Sequence, residues 1–345
     1  MVEARKQIPS EVLEHFWPGK TLKSLRIMQM GLVHYSAQLE FENGKYLLQK
    51  INTSVFKKAD IMVQNMVCIS DQLMKDTGYN FAIPKPVSDS HGEYLIHDET
   101  GCCWRCMEYI EHYEDYIFKN SPETAFQVAM AFGKFDAALA SIDPAKIIPT
   151  IESFHDPVFR LQQFDQARNS MTSINGREVK ELNEKILQHR WIAQEMTEFN
   201  FPVRLAHNDA KPSNVLFSSV GKPLAIIDLD TVMPGTPLHD FGDMVRSMAS
   251  TVTEDHPVME EVSFSKQMYD ALESGFIEGA GDSLEKIEKE HLLLGAKYII
   301  FEQAVRFFTD YLNGNIYYKV KDDQHNMVRA QNQLALLDSL SKIMD

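Results

Sequence analysis

His207, Asp209 and Asn214 stand in LAHNDAKPSNVLF at the spacing HxDxxxxN, and the apolar run PLAIIDLD delivers Asp228 fourteen residues after Asn214. Those residue types suit phosphoryl transfer. The reaction asks little covalent chemistry of a protein: a carboxylate to orient the attacking hydroxyl, and oxygen ligands to hold a divalent cation against the phosphates. Asp209, flanked by VRLAH and NVLF, is the candidate base. Asn214 offers a neutral carbonyl oxygen and Asp228 an anionic one; hard Mg²⁺ takes such ligands while keeping places for phosphates and waters. Lys211, two residues past the base, is a point cation that can neutralise charge on the transferring group. His207 reads either as a holder of the loop through hydrogen bonds or as a satisfied core histidine. A lone loop aspartate is usually a turn former or a cap. Four residue types at fixed offsets, followed by a strand ending in Asp, are a motif in its expected context.

The stretch IIDLDTVMPGTPLHDFGD holds four aspartates, Asp228, Asp230, Asp240 and Asp243, and spells DFG. Two prolines precede that DFG, so Asp240 is expected to cap the helix DFGDMVRSMAS or to brace the catalytic loop, with Asp243 in the first turn. The metal expectation stays with Asp228. Asp230 is left as a second ligand or a partner for the loop. Farther on, Arg306 sits in FEQAVRFFTDYL, where Phe301, Val305, Phe308 and Leu312 form an apolar helix face, and a pairing with Asp310 four residues later is one reading of it. Asp156-Pro157 reads as a helix start, and Thr231 as a turn residue.

The elements that must position these residues fall into two kinds. RIMQMGLVHYSAQLEFENGKYLLQKIN alternates apolar and polar residues on both sides of Asn43-Gly44, a strong hairpin signal. Asp60 to Lys75 repeats apolar residues at helical spacing, so a helix packs on this sheet. Further strands are expected around Phe81 to Val87, Tyr94 to Asp98 and Cys102 to Met107. From Ser121 the chain turns helical: Ser121-Pro122-Glu123 supplies an N-cap, a proline at the first helical position and an acid in the first turn. The expected organisation is α+β and bilobal, with an antiparallel-sheet lobe over residues 1–107 and a helical lobe over 108–345. A nucleotide would fit in a crevice between two such lobes.

A chain of 345 residues exceeds what a single core usually organises. With 44% hydrophobic and 24% charged residues it has the composition of an ordinary globular protein. A net charge of -15 argues against a nucleic-acid surface, which needs clustered Lys and Arg to neutralise phosphates. No apolar run approaches the ~20 residues that span a bilayer, and MVEARKQIPSEVLEHFW carries no apolar leader core, so a cytoplasmic enzyme with no membrane partner is the expectation. Cys102, Cys103 and Cys106 crowd one strand, but no second ligand pair at matching spacing accompanies them, which favours reduced thiols over zinc.

HNDAKPSN resembles the catalytic loop of the protein-kinase-like superfamily, and IIDLD the metal motif of its aminoglycoside phosphotransferase and choline kinase branch. Such families have a small sheet lobe and a large helical lobe. YLLQKIN, AFGKFDAAL, FHDPVFR, IIDLDTVMPG and RFFTDYLNGN together resemble N-acetylhexosamine 1-kinases, which phosphorylate the anomeric hydroxyl of N-acetylglucosamine or N-acetylgalactosamine with ATP. The resemblance implies Asp209 as base, Asn214 and Asp228 as Mg²⁺ ligands, and Lys50 on the second hairpin strand against the nucleotide phosphates; without it, Lys50 reads as a solvated strand residue. It implies an adenine-binding hinge at Glu108, Tyr109 and Ile110, and a phosphate-covering loop at Gly31. On the acceptor side it implies Arg306 as a donor fork for sugar hydroxyls, with Thr231 and His155 nearby. An arginine there would repel cationic aminoglycosides or choline and favour a neutral sugar. The chain departs from the pattern at three places: GLVHYS has only Gly31, His34 stands where Asn is expected, and Gln64 where a Glu would pair with Lys50. Two rivals remain: a kinase of aminoglycosides, choline or an amino alcohol, and a nucleotide-binding pseudokinase, whose mark would be a lost base or metal ligand. A protein kinase would need the glycine loop and an APE segment.

Overall fold

The computed structural model describes residues 8–28, 33–113, 120–170 and 176–345. Two compact units emerge. The first gathers Met1–Tyr116, Ser141–Glu152 and Val215–Pro234; the second gathers Ile117–Ala140, Ser153–Asn214 and Gly235–Asp345. The expected boundary at residue 107 runs along the chain, whereas the compact units are discontinuous in it.

The first unit is built on an antiparallel sheet of β1 (Ser24–Met28), β2 (Tyr35–Phe41), β3 (Gly44–Lys50), β4 (Pro86–Val87), β5 (Leu95–His97) and β6 (Cys103–Glu108), in the order β1-β2-β3-β6-β4, with β5 also on β6. The hairpin expected at Asn43-Gly44 forms there, with Phe41 opposite Gly44. One face of this sheet buries Leu39, Leu48, Trp104 and Cys106 with α1 (Ser10–Phe16) and Trp17, whose ring stacks on Phe41 at 4.5 Å. The other face takes α2 (Ala59–Lys75), the helix expected from Asp60. The strand expected from Phe81 shrinks to Pro86–Val87, because Pro84 and Pro86 have no N–H to give a ladder. Ala82 instead donates its N–H to Leu224, on the strand Pro223–Ile226 that pairs antiparallel with Val215–Phe217.

The second unit is helical: α3 (Pro122–Leu139), α4 (Pro157–Ser170), α5 (Arg177–Glu198), α6 (Pro237–Met248), α7 (Lys266–Ala280), α8 (Lys286–Glu290), α9 (Leu292–Leu312) and α10 (His325–Met344). Ser121 caps α3 as expected, its hydroxyl accepting from the Thr124 N–H. The helices α3 and α7 approach at backbone distance because of glycines. A Cβ on Gly275 would lie 2.3 Å from the Phe126 carbonyl oxygen, and one on Gly279 2.3 Å from that of Met130. Helix α6 meets α9 in the same way, Gly242 against the Gly295 carbonyl. Phe132, Phe135, Phe241, Phe276 and Ile299 fill the core between them. Among the described residues no helix is long and apolar enough to cross a membrane.

Candidate active site

The short strand Arg204–Ala206 ends in His207, and Asn208 then turns left-handed at φ 60°. Asparagine tolerates that conformation because its short side chain can bond locally. Here its Nδ2 donates to the Ala206 carbonyl at 3.0 Å. Asp240 holds the turn from behind, accepting the backbone N–H groups of His207 and Asn208, both at 2.6 Å. The His207 ring is buried against Phe132 and Phe135, so its backbone amide makes the bond to Asp240. Asp136 lies buried near Asp240; burial and the neighbouring carboxylate push its carboxyl well above the usual range.

Beyond this turn Asp209 is partly exposed, with Lys211 Nζ 2.7 Å from its Oδ2. Asn214 ends the turn Pro212–Asn214 and donates Nδ2 to the Asp209 carbonyl at 2.8 Å and to its carboxylate at 3.1 Å. Three of the expected site residues are therefore gathered within hydrogen-bond reach. With its nitrogen so used, the Asn214 amide presents its oxygen, the ligand atom a hard cation takes. The literal DFG is fully employed elsewhere: Asp240 on the loop, Phe241 in the core, Gly242 against Gly295. Asp240 braces the loop but does not cap the helix. That cap is Thr236, one turn earlier, whose hydroxyl accepts from Leu238, and Asp243 pairs with Arg246 at 2.7 Å.

In the first unit Asp228 lies two residues past the strand Pro223–Ile226, exposed and in the left-handed region at φ 63°. A non-glycine residue held there is strained by about 1–3 kcal/mol, a mark that clusters at functional positions. Asp230 spends its carboxylate within the unit. Arg105 Nη2 donates to it at 2.8 Å and His34 Nε2 at 2.7 Å, while His34 Nδ1 accepts the Asn52 N–H at 3.0 Å and so fixes the tautomer. Burial alone would raise the Asp230 carboxyl, but the Arg105 charge, joined by His34, holds it well below the usual carboxylate range. Arg105 also donates Nε to Gln49 at 2.9 Å and touches the Met66 sulfur on α2.

The register separates Lys50 from that network. Lys50 pairs with Trp104 across the strands and lies 5.9 Å from its ring, on the α1 face, whereas Gln49 and Arg105 point to the α2 face. The buried cation on the α2 side is thus Arg105, and its carboxylate is Asp230; Gln64 is exposed on α2. Glu108 ends β6 with its carboxylate 3.7 Å from Lys85, and the Ile110 carbonyl accepts from His112 Nδ1 at 2.8 Å. Thr231 is buried at the end of the turn Leu229–Thr231. Gly31 lies outside the described residues. The four cysteines are free thiols, and among the described residues no three His, Cys, Asp or Glu are grouped to hold a metal.

The second unit also contains a pocket of about 120 Å³ whose lining includes Arg160, Arg306, Asp310, Asn313, Tyr317 and Tyr318. Arg306 enters it from α9 over the Phe154 ring, 4.9 Å from the centroid. Its ion partner is Glu302, 4.0 Å away, not the Asp310 of the sequence reading. Asp310 instead accepts the backbone N–H groups of Ile316, Tyr317 and Tyr318, shaping the turn that carries both tyrosines. His155 stands behind this pocket with Nδ1 2.6 Å from Glu302 and Nε2 3.0 Å from the Asn208 carbonyl, so both ring nitrogens are occupied by protein partners. Asp156 caps α4 as expected, accepting from Phe159 at 3.0 Å.

A family model described as the phosphotransferase enzyme family matches residues 34–272, more than two thirds of the chain. The chain belongs to this family. Solved structures agree on the fold. A microcompartment-associated aminopropanol kinase superposes with a TM-score of 0.69 at 13% identity, covering 99% of this chain and 98% of its own. An aminoglycoside phosphotransferase from Alicyclobacillus acidocaldarius gives 0.64 at 12% identity, over 97% of this chain and 96% of its own. An amicoumacin kinase, solved in complex with AMP-PNP, Ca²⁺ and Ami, gives 0.63 at 12%, covering 97% and 95%. The fold of this phosphotransferase is the expected kinase-like one, with a small antiparallel sheet and a helical unit.

Several residues of the phosphotransferase escaped the sequence reading. Arg105 carried a signal, since a lone charge in the apolar strand CCWRCM calls for a buried partner. Glu302 had a comparable one, an acid in the apolar run IIFEQAV. Neither signal names its partner, which lies 125 residues away for Arg105 and 147 for Glu302.

Proposed function

We propose that this phosphotransferase transfers the γ-phosphoryl group of ATP to the anomeric hydroxyl of an N-acetylhexosamine. The observation that carries the reading is the acceptor pocket: two guanidinium groups, Arg160 and Arg306, line it together with Tyr317, Tyr318 and Asn313. Arginine forks and phenol hydroxyls suit a neutral ring rich in hydroxyl and carbonyl groups. The two guanidinium groups outnumber the one carboxylate on the pocket wall, Asp310, and so disfavour an amine.

In this reading residues 1–107 form the nucleotide-binding lobe, with Glu108 and Ile110 at the adenine, and residues 108–345 carry the catalytic loop and the acceptor pocket. Asp209 orients the anomeric hydroxyl and takes its proton as the sugar oxygen bonds to the γ-phosphorus. The bond from that phosphorus to the bridging oxygen breaks, and ADP leaves. Lys211 neutralises charge on the transferring group. Mg²⁺, held by Asn214 and Asp228, supplies charge neutralisation at the phosphates when bound. The donor set fits that ion, being an amide oxygen and a carboxylate with no sulfur or imidazole. The presence of base and metal ligands together opposes the pseudokinase reading.

ADP release measured with N-acetylglucosamine, N-acetylgalactosamine, kanamycin and choline side by side tests the assignment. Turnover is expected with one or both sugars. Activity confined to the two cations would transfer the chain to the amine kinases.

A further inference from the structure

Glu302 stands in the middle of α9, fully buried, with His155, Arg160 and Arg306 around its carboxylate. His155 Nδ1 lies 2.6 Å from one oxygen; Arg160 Nε lies 3.3 Å and Arg306 Nη1 4.0 Å from the other. The two arginines line the acceptor pocket. The far side of the His155 ring reaches the catalytic loop, where Nε2 donates to the Asn208 carbonyl at 3.0 Å. That carbonyl belongs to the peptide group that enters Asp209. Asp240 fixes the preceding two amides, and His155 adds a restraint on the orientation of this peptide.

The imidazole is itself held in place. The Tyr298 hydroxyl donates to the His155 carbonyl at 3.0 Å, and Arg160 clamps the Phe154 carbonyl with Nε at 3.0 Å and Nη2 at 2.5 Å. Both ring nitrogens face oxygen atoms, the Glu302 carboxylate on one side and the Asn208 carbonyl on the other. Burial would raise the Glu302 carboxyl, but the His155 charge and hydrogen bond, with Arg306 and Arg160, bring it down to about 2. His239, whose ring lies 4.9 Å from that of His155, falls to about 3 through burial and the His155 charge.

We propose that Glu302 and His155 are positioning residues that join the acceptor pocket to the peptide entering Asp209, so that the pocket arginines and the base are oriented by one buried carboxylate. This rests on Asp209 acting in phosphoryl transfer and does not depend on which acceptor is used. A base displaced by about 1 Å loses on the order of 10²-fold in rate, which makes such a restraint measurable.

The two ring nitrogens can be tested separately. His155→Gln keeps a donor where Nε2 stands and so keeps the bond to Asn208, whereas His155→Asn keeps a donor only toward Glu302. With Mg·ATP and saturating N-acetylglucosamine or N-acetylgalactosamine, and kcat normalised to the folded fraction by circular dichroism, the Gln variant, which loses the bond to Glu302 but keeps the one to Asn208, is expected to lose less than about tenfold in kcat. The Asn variant is expected to lose about 10- to 100-fold in kcat with little change in acceptor KM. Equal losses in the two variants, or an effect confined to acceptor KM, would overturn the proposal. Glu302→Gln, as an independent variant, is expected to lower kcat and raise acceptor KM together; a change in KM alone would also overturn it. The same Gln/Asn difference is expected in slow ADP release to water without sugar. Failure of both sugars as acceptors would remove the sugar reading and leave that comparison in force.

Discussion

At the scale of single residues, the turn from His207 to Asn214 joins the proposed base, Asp209, to the buried Asp240. Asp209→Asn is expected to lose about 10²- to 10⁴-fold in kcat while nucleotide binding, followed by calorimetry, survives; unchanged turnover would remove Asp209 from the mechanism. Behind the loop, Asp136 makes a second prediction. A carboxyl raised in the folded protein holds its proton more tightly there than in the unfolded chain. Its contribution to stability is therefore complete below the ordinary aspartate value of about 3.9 and is lost as pH climbs toward the folded value. Asp136→Asn escapes that loss, so the difference in Tm, variant minus wild type, should rise steadily between about pH 4 and pH 8. A difference that stays flat over this range would show that Asp136 ionises freely. Asp209, Lys211 and Asn214 were legible in the sequence because their meeting is local, within a single turn. Arg105 and Glu302 were visible only as charges in apolar runs, and Asp230 only as a second ligand or a loop partner, since their partners come from distant segments.

At the scale of elements, the hairpin, α2 and α3 were legible from alternation, helical spacing and a cap. The strand between Phe81 and Val87 was over-read, because apolar content outweighed the missing N–H groups of its prolines. The start of α6 was placed a turn late, because Asp240 resembles a cap while Thr236-Pro237 is the cap in fact. Glycine in helix interiors is a weaker sequence signal still: it costs stability unless something needs the space. In α7 something does, since carbonyls of α3 occupy the places a Cβ would take at Gly275 and Gly279. Gly275→Ala is therefore expected to destabilise the helical unit by about 1–3 kcal/mol through overpacking, although alanine is the better helix former. Thermal unfolding followed at 222 nm checks the sign; an unchanged or higher Tm would mean the helices part without cost.

At the scale of the whole molecule, the α+β organisation was legible from the change of pattern near residue 110, but the discontinuous make-up of the first unit was not. Nothing local in Val215–Pro234 says that it joins the N-terminal sheet, which it does through the Ala82 bridge and the Asp230 ion pair. A fragment ending at residue 116 would keep all six strands of that sheet and leave Arg105 buried without its carboxylate. Such an orphaned charge costs about 3–5 kcal/mol, so the fragment is expected to show poor dispersion in its NMR spectrum, and a well-dispersed spectrum would refute this. The arrangement also bears on synthesis. A ribosome working from the N-terminus finishes the hairpin early, but after Arg105 it must translate another 125 residues to reach Asp230, the carboxylate that neutralises it. Until then strand β6 carries a cation without its buried partner, so the first unit can be completed only after Asp230 is made.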